Sequence, residues 1–579
     1  MRGSVRALAL ALSLGALLAV HLTRPGFLDD EGRNAEVARE MLVLGDWLTP
    51  HLDFTLYLNK PPLPFWLAAI AFRAGLTDER ARVVSLLAAV VTLVATAALG
   101  RRLYDEPTGL LGAALLASSV GFALEARTLR ADIWLVASVT VAFLAWTAAE
   151  EADGWRRGAW LVALYTALGV GGLAKGLVCV VLAGVPIAAL AMVRHGLRAC
   201  ARLHPELGLL VFAVIPLPWH AAVALRHPGF AWDYVVNQHL LFFFDRKLPR
   251  DSEGDPLLLF WASFVGRHFP WILLVPLAAG ELGSRRRGDT AARGTAVLAT
   301  WAGSVLAFFS ASPARLEHYL APAAPPMALL AARGLALHAR GEAGAAAWRR
   351  LAGAGVVLAA IGVAGAFRGP PTLAGVPWLA GAPGLPDLAK PAGEALALSG
   401  LLVASAAGAR RPRALAAAFG ATAALTVGFT LVALARAEPL VSWAPLARAV
   451  ARAVPPGVPI AFDASDEYQV VGGLAFYTQR QILLLEPPHF VPPTYLAGQS
   501  EAAFVSRARF AAAWRAGTPL ALVSDPKRPS RTPAHLAPGS FLVVAAAGGR
   551  WAVADVPFAA ESRAAAAVVT RGQPRRREP

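Results

Sequence analysis

Apolar runs of about twenty residues recur along the chain, separated by short stretches in which arginine, aspartate, proline and glycine collect. A helix that crosses a bilayer needs ~20 apolar residues, and runs near that length fall at roughly thirteen places. They are 5–22, 82–100, 107–124, 132–149, 158–173, 177–193, 206–224, 257–279, 294–310, 319–338, 349–367, 394–408 and 413–435. The apolar stretch from Leu63 to Gly75 is too short to span and predicts a helix lying at the interface. From Pro439 the pattern changes. The stretches VPIAFDAS, AFYTQRQILLLE, PLALVSD and GSFLVVAAAGGRWAVADV read as short strands, and Glu501 to Ala516 as a helix. The expected organisation is a membrane domain over 1–438 with a first external loop at 23–81. An α/β domain over 439–569 and a disordered basic tail at 570–579 follow.

Composition agrees. Of 579 residues 56% are hydrophobic and 16% charged, and the mean hydropathy is +0.52, too apolar for a soluble chain of this size. A leader ahead of a soluble domain does not fit, since no small-residue cleavage site follows the first run. The net charge of +16 is spread in clusters between apolar runs, as at Arg101 and Arg102, Arg194 to Arg202, Arg285 to Arg287 and Arg410 to Arg413. That distribution follows the positive-inside rule rather than a nucleic-acid-binding face. It puts the N-terminus in the cytoplasm and, with an odd number of spans, the C-terminal domain outside. Cys179 lies in an apolar run and Cys200 in a basic connection, so no disulfide framework is expected. No internal repeat points to a solenoid or to a transporter of two similar halves.

The first external loop carries the chemistry. Asp29, Asp30 and Glu31 stand together where the first apolar run would leave a bilayer, with Arg33 close behind. Close like charges raise at least one pKa, which suits a carboxylate to act as a base. A helix start with an ion pair is the plainer alternative. Ala35, Val37, Ala38, Met41 and Leu42 then recur at helical spacing against Glu36, Arg39 and Glu40, which predicts an amphipathic helix on the membrane surface. Lys60, followed by Pro61 and Pro62, is held extended and makes a rigid anion hook.

With DEGRNAEVAREMLVLGDWLTP and LNKPPLPFW in one loop, the chain resembles the membrane glycosyltransferases of the GT-C type. Among them it most resembles the bacterial aminoarabinose transferase and protein O-mannosyltransferase group, which uses polyprenyl-phosphate sugars. The resemblance implies a polytopic α-helical GT-C fold with an outer soluble domain. It places catalytic carboxylates at Asp30 and Glu31, and a second acidic position at Asp132 in LEARTLRADIWL. Donor-phosphate contacts fall on Arg33, Lys60 and Lys175, the last in GGLAKGLV. Asn59, His239 in VVNQHL and Tyr319 in EHYLAP are implied as substrate-binding positions, whereas His220 and His318 receive no role. From position alone, Asp132 is also read as solvated, Lys175 as snorkelling to head groups, and His239 and Tyr319 as interfacial packing.

One departure bears on cofactors. Asn59 stands where the aminoarabinose branch carries a Glu that, with the His, resembles a metal pair, and losing that carboxylate argues against a Zn²⁺ site. No other cofactor is implied. The expected partners are a polyprenyl-phosphate-linked sugar, a lipid or protein acceptor and membrane lipids, at the bacterial inner membrane. The leading reading is transfer of one sugar from an undecaprenyl-phosphate carrier, with inversion, to a lipid A-like glycolipid or to protein Ser or Thr. A lipid-linked-sugar transporter or flippase and a silent envelope scaffold are the alternatives. The first would place charge near mid-membrane in broken helices, and the second has no need of Asp30 with Lys60.

Overall fold

The apolar runs fold as helices. The computed structural model describes residues 2–20, 22–23, 25–248, 254–279, 290–368, 384–463, 468–486, 493–496, 504–524, 541–547 and 550–555. Among these residues, eight helices are long and apolar enough to cross a membrane. The number is ten if two bent pairs each form one span: Pro205–Val214 with Leu217–Arg226, at 48°, and Leu257–His268 with Trp271–Ala278, at 89°. The chain is thus a multi-pass helical membrane protein. The expected thirteen spans are not matched one for one, because three runs make shorter helices. Run 5–22 is the 17-residue helix α1, Arg2–Leu18, and run 177–193 becomes the short apolar helix Val180–His195. Run 107–124 breaks into Glu106–Ala117 and Val120–Glu125. At that break the hydroxyls of Ser118 and Ser119 donate to the carbonyls of Ala114 and Leu116, each at 2.8 Å, and compete with the helical ladder.

Helix α2, Asp29–Leu44, starts where three carboxylates complement the positive end of a helix. It stops at Gly45, whose φ of 66° is the left-handed cap. The expectation of an amphipathic helix resting on the surface is overturned, because both of its faces are buried. Ala35, Val37, Ala38 and Met41 pack with Phe65 and Ala68 of α3, Leu63–Phe72, and with Val471 and Leu474 from the far end of the chain. On the other face Arg39 forks onto Glu36 at 2.7 and 2.6 Å. Glu40 accepts from the Phe54 amide at 2.9 Å, and burial followed by the nearby Glu36 pushes its carboxyl well above the usual range. A polar face of this kind is tolerable under cover because its charges are paired or protonated.

Between α2 and α3 the two-residue strands β1, His51–Leu52, and β2, Thr55–Leu56, form a hairpin whose turn residues Asp53 and Phe54 are left-handed. Asp53 accepts from the Ile482 amide at 2.9 Å, which ties the hairpin to the C-terminal sheet. That sheet contains β3, Ile460–Asp463; β4, Ile482–Leu485; β5, Phe504–Val505; β6, Ala521–Ser524; β7, Phe541–Ala547; and β8, Arg550–Asp555. Its order is β5-β4-β3-β6-β8-β7, parallel from β5 to β6 and antiparallel beyond. Five of the six strands fall in the stretches read as β, although AFYT at the start of one of them ends the helix Gly472–Thr478. β5 lies within 501–516, where a helix was expected, and the helix there is the shorter Arg507–Arg515. Arg285 to Arg287, most of the Pro/Gly-rich stretch from Gly369 and the tail 570–579 lie outside the described residues.

Residues Ile460, Phe462, Leu484 and Val523 of the sheet share one core with Phe27, Met41 and Phe65, so sheet and first loop are one packed unit. The contact with α2 is made backbone to backbone. A Cβ added at Gly472 would lie 2.4 Å from Cα of Arg33, and one at Gly32 would lie 2.5 Å from Cα of Gly473. Neither neighbour is a side chain that can turn aside. Gly472→Ala is therefore expected to destabilise by about 1–3 kcal/mol, seen as a lower melting temperature of the detergent-solubilised protein. Gly428→Ala, in a helix with open space around it, is expected to leave that temperature unchanged or slightly raised.

Candidate active site

Successive residues on a helix point about 100° apart, so the three carboxylates that open α2 face three different neighbourhoods. Asp29 accepts from Arg550 of β8 at 3.1 Å. Asp30 pairs with Arg33 at 2.8 Å and with Arg130 at 3.4 Å. Glu31 is gripped by Arg82, Nε to Oε1 at 2.9 Å and Nη2 to Oε2 at 2.6 Å. Each therefore meets an arginine from another part of the chain.

This division separates Glu31 from the role expected of it. Its two oxygens also accept the amides of Leu129 at 2.8 Å and Leu28 at 3.0 Å, and both Glu31 and Arg82 are buried. A carboxylate with all its acceptor positions used inside the protein has nothing left for a substrate, and Glu31 is placed as a structural anchor. Arg82 completes the anchor by donating to the carbonyls of Leu22 and Pro25 at 2.5 and 2.8 Å.

Asp30 is 35% exposed and lies in a field of cations. Burial works to raise its pKa, but Arg33, Arg130, His318 and Lys60 outweigh that and hold the carboxyl well below the usual range. The expectation that neighbouring acids would raise it fails here, since Asp29 and Glu31 are turned away and neutralised by their own arginines. Lys60 shows the opposite balance. Burial, then Lys175, Lys247 and Arg33, lower its ammonium to about 8. Among the described residues no carboxylate stands within ion-pair distance of Lys60.

Asp132, in the first turn of the helix Ala131–Glu150, is salt-bridged to Lys175 at the end of Gly154–Lys175. Lys175 Nζ also sits 4.5 Å from the ring centroid of Tyr319. The expected phosphate-binding Lys175 is thus already paired, while Asp132, Lys175 and Tyr319 form one cluster next to Lys60 and His318. His239 closes the same side. Its Nδ1 donates to the Tyr234 carbonyl at 2.6 Å, which leaves Nε2 to accept from the Leu177 amide at 3.3 Å. Gly176 makes that approach possible, because its φ is +83° and a Cβ there would lie 2.7 Å from His239 Nε2.

Asn59 is buried and does not face the cluster as a free ligand. Its Oδ1 accepts from the Tyr495 hydroxyl at 2.8 Å. With both His239 nitrogens in hydrogen bonds, and no group of three His, Cys, Asp or Glu side chains among the described residues, this donor set does not fit a Zn²⁺ ion.

Arg130, Lys247 and His318 complete the site and were not singled out from sequence. Arg130 stands two residues before Asp132 in the same motif, and its charge at a span mouth was an available signal. His318 stands next to Tyr319 in EHYLAP, which was its available signal, and only the fold brings in Lys247. Taken together, Asp30, Arg33, Lys60, Arg130, Asp132, Lys175, Lys247, His239, His318 and Tyr319 gather at one end of the helical bundle. Glu31 and Asn59 support them from behind.

The family model for dolichyl-phosphate-mannose-protein mannosyltransferases matches residues 59–221. The undecaprenyl phosphate-α-4-amino-4-deoxy-L-arabinose arabinosyl transferase 1 of Pseudomonas fluorescens strain Pf-5 is 30% identical over 334 residues, 55% of this chain and 58% of that protein. The corresponding protein of Yersinia enterocolitica is 29% identical over 57% of this chain and 59% of its own length. The chain thus spans about three-fifths of the length of these relatives. Among solved structures, ArnT from Cupriavidus metallidurans in its apo state matches with a TM-score of 0.76 and 23% identity, over 96% of this chain and 98% of that one. Its complex with undecaprenyl phosphate matches with a TM-score of 0.73 and 22% identity, over 95% and 98%. The chain shares the fold of that protein over 96% of its length, which is the GT-C fold that the first-loop motif implies.

The separate roles of the neighbouring acids have a measurable signature. Glu31→Gln leaves the Arg82 charge buried against a neutral amide, and is expected to cost about 3–5 kcal/mol of stability. Asp30→Asn, at a partly exposed position, is expected to lower the melting temperature much less in the same thermal scan.

Proposed function

We propose that the chain is a glycosyltransferase that moves a single sugar, a pentose of the aminoarabinose kind, from an undecaprenyl-phosphate carrier to a lipid A-like glycolipid. The reaction would take place on the outer face of the bacterial inner membrane, with the N-terminus cytoplasmic and the C-terminal α/β domain outside. The relatives' names supply the donor class, and the fold match is in keeping with them. The observation that carries the reading is Lys60: a partly buried ammonium among Lys175, Lys247 and Arg33, with no carboxylate of its own, beside an ionised Asp30. Like charges crowded together are costly unless an anion comes to share them.

In this mechanism Lys60 and Arg33 take the phosphate as it leaves. Charge builds on its bridging oxygen while the bond to the anomeric carbon lengthens, so donors fixed there favour the transition state over the bound donor. Asp30 faces the sugar from the other side. A carboxylate held so far below the usual range is a weak base, so it suits an acceptor whose oxygen is already anionic, such as a phosphate on a glycolipid. Its work is then to orient the acceptor and to balance positive charge at the anomeric carbon. Asp132, paired to Lys175, keeps that lysine in place against Tyr319. Attack opposite the phosphate inverts the anomeric centre.

A protein acceptor is the second reading, supported by the description of the family model that matches residues 59–221. Mass spectrometry of envelope lipids and glycoproteins from cells with and without the gene separates the two, since the missing mass appears on one class or the other.

Lys60→Ala and Asp30→Asn are each expected to lower transfer in proteoliposomes by ~10²–10³ while the protein stays folded in the membrane. Wild-type turnover in both, or movement of the lipid-linked sugar without cleavage, would overturn the reading. The pH dependence has a definite sign. Lys60 is charged below about 8 and loses its charge as pH rises through that value, so affinity for undecaprenyl phosphate is expected to fall above pH 8. Lys60→Arg, which stays charged, is expected to flatten that fall in a binding titration.

A further inference from the structure

Three separate stretches of the site are tied to one part of the C-terminal segment. On Tyr468–Val471, the buried Gln469 accepts from Arg33 Nη1 at 3.2 Å, so the guanidinium lies between Asp30 and a neutral oxygen. On Thr494–Leu496, the buried Tyr495 donates its hydroxyl to Asn59, one residue before Lys60. Its neighbour Thr494 donates to the Gly229 carbonyl at 3.0 Å, close to the helix Asp233–Leu241 that carries His239. Elsewhere the walls are joined to one another, as where Asn34 donates to the Leu129 carbonyl and the Leu129 amide donates to Glu31, each at 2.8 Å.

Both C-terminal partners are uncharged. A further carboxylate on Arg33 beyond Asp30, or one on the Lys60 loop, would cancel charge meant for the ligand. A Gln oxygen and a Tyr–Asn bond fix direction without adding negative charge. Asp30 holds Arg33 Nη2 and Gln469 holds Nη1, so acceptors on two different elements fix the direction of the guanidinium.

We propose that Gln469 and Tyr495 are positioning residues, through which the C-terminal segment sets the spacing between Arg33 and the Lys60 loop across the departing phosphate. This rests on the reading of the site as one that releases a phosphate.

The test compares Gln469→Ala, Gln469→Glu, Tyr495→Phe, Asn59→Ala and the double variant Tyr495→Phe/Asn59→Ala. For each, kcat, the KM for the lipid-linked sugar, binding of undecaprenyl phosphate and the melting temperature are measured on the full chain. Gln469→Ala is expected to lower kcat by ~10-fold, as misplacement of a group by a fraction of an ångström does, with KM little changed. Gln469→Glu keeps the hydrogen bond and adds a negative charge, so kcat is expected to return while KM rises several-fold and undecaprenyl phosphate binds correspondingly less tightly. Tyr495→Phe is expected to weaken donor binding several-fold, and to add nothing on the Asn59→Ala background because it acts through that residue. Additive losses at Tyr495 and Asn59, or wild-type kinetics in Gln469→Ala and Tyr495→Phe, overturn the proposal. Should Gln469→Ala fail to fold, Gln469→Glu and Tyr495→Phe, which keep side-chain volume, decide it by the same criteria. If the wild-type protein transfers no sugar, the function reading fails. The positioning role then depends on undecaprenyl phosphate binding, and unchanged binding in Gln469→Glu and Tyr495→Phe overturns it.

Discussion

Taking charge out of water is the constraint on which this structure depends. Three carboxylates in one turn of helix cannot share one solution, because a buried carboxylate without a partner costs several kcal/mol. Here each has its own arginine, and the arginines come from as far apart as Arg33, Arg82, Arg130 and Arg550. Satisfying them brings together the end of the first helix, the mouths of two long helices and the last strand of the sheet. The geometry of the site follows. Once Asp29 and Glu31 are neutralised by partners of their own, Asp30 is left facing the side where Arg33, Arg130, His318 and Lys60 stand.

Burial acts with opposite sign on the two groups at the centre. It works to raise an acid and to lower a base, so desolvation alone would bring Asp30 and Lys60 toward neutrality. For Asp30 the surrounding cations reverse the effect, and for Lys60 they deepen it. One positive field therefore keeps an acid ionised and leaves an ammonium less than fully content with its proton. A dianion entering such a field relieves both conditions together, so recognition of the ligand's charge and preparation of the site have one physical origin.

The parts of this arrangement legible in sequence are the local ones. Apolar runs mark helices because length and hydropathy are properties of contiguous residues, and five of the six strands described after Pro439 stand in β-rich stretches, the exception being the two-residue β5. Lys60 was legible because two prolines fix its backbone, and Asp30 with Arg33 because they lie three residues apart on one helix. The span count was less so, since run 107–124 is as apolar as its neighbours and only the hydroxyls of Ser118 and Ser119 break it. Long-range pairing was not legible at all. Nothing near Glu31 in sequence points to Arg82, 51 residues on, and nothing at Asn59 announces Tyr495, 436 residues on. The surface placement expected of Asp29–Leu44 failed for the same reason. An amphipathic pattern reports that two faces differ, whereas what covers them is decided by partners outside the helix: the hairpin at Asp53 and Phe54 over the polar face, and residues from Ile460 onward against the apolar one.

The pairing of Asp29 with Arg550 spans 521 positions of chain. At ~5–20 residues per second, a ribosome needs on the order of a minute to pass from one to the other. For that interval Asp29 waits for its arginine, while Glu31 already has Arg82 and Asp30 has Arg33, and the sheet that will cover the loop has yet to be translated. A nascent chain halted before β7 and β8 therefore carries all the candidate spans found among the described residues and still leaves Asp29 without its arginine.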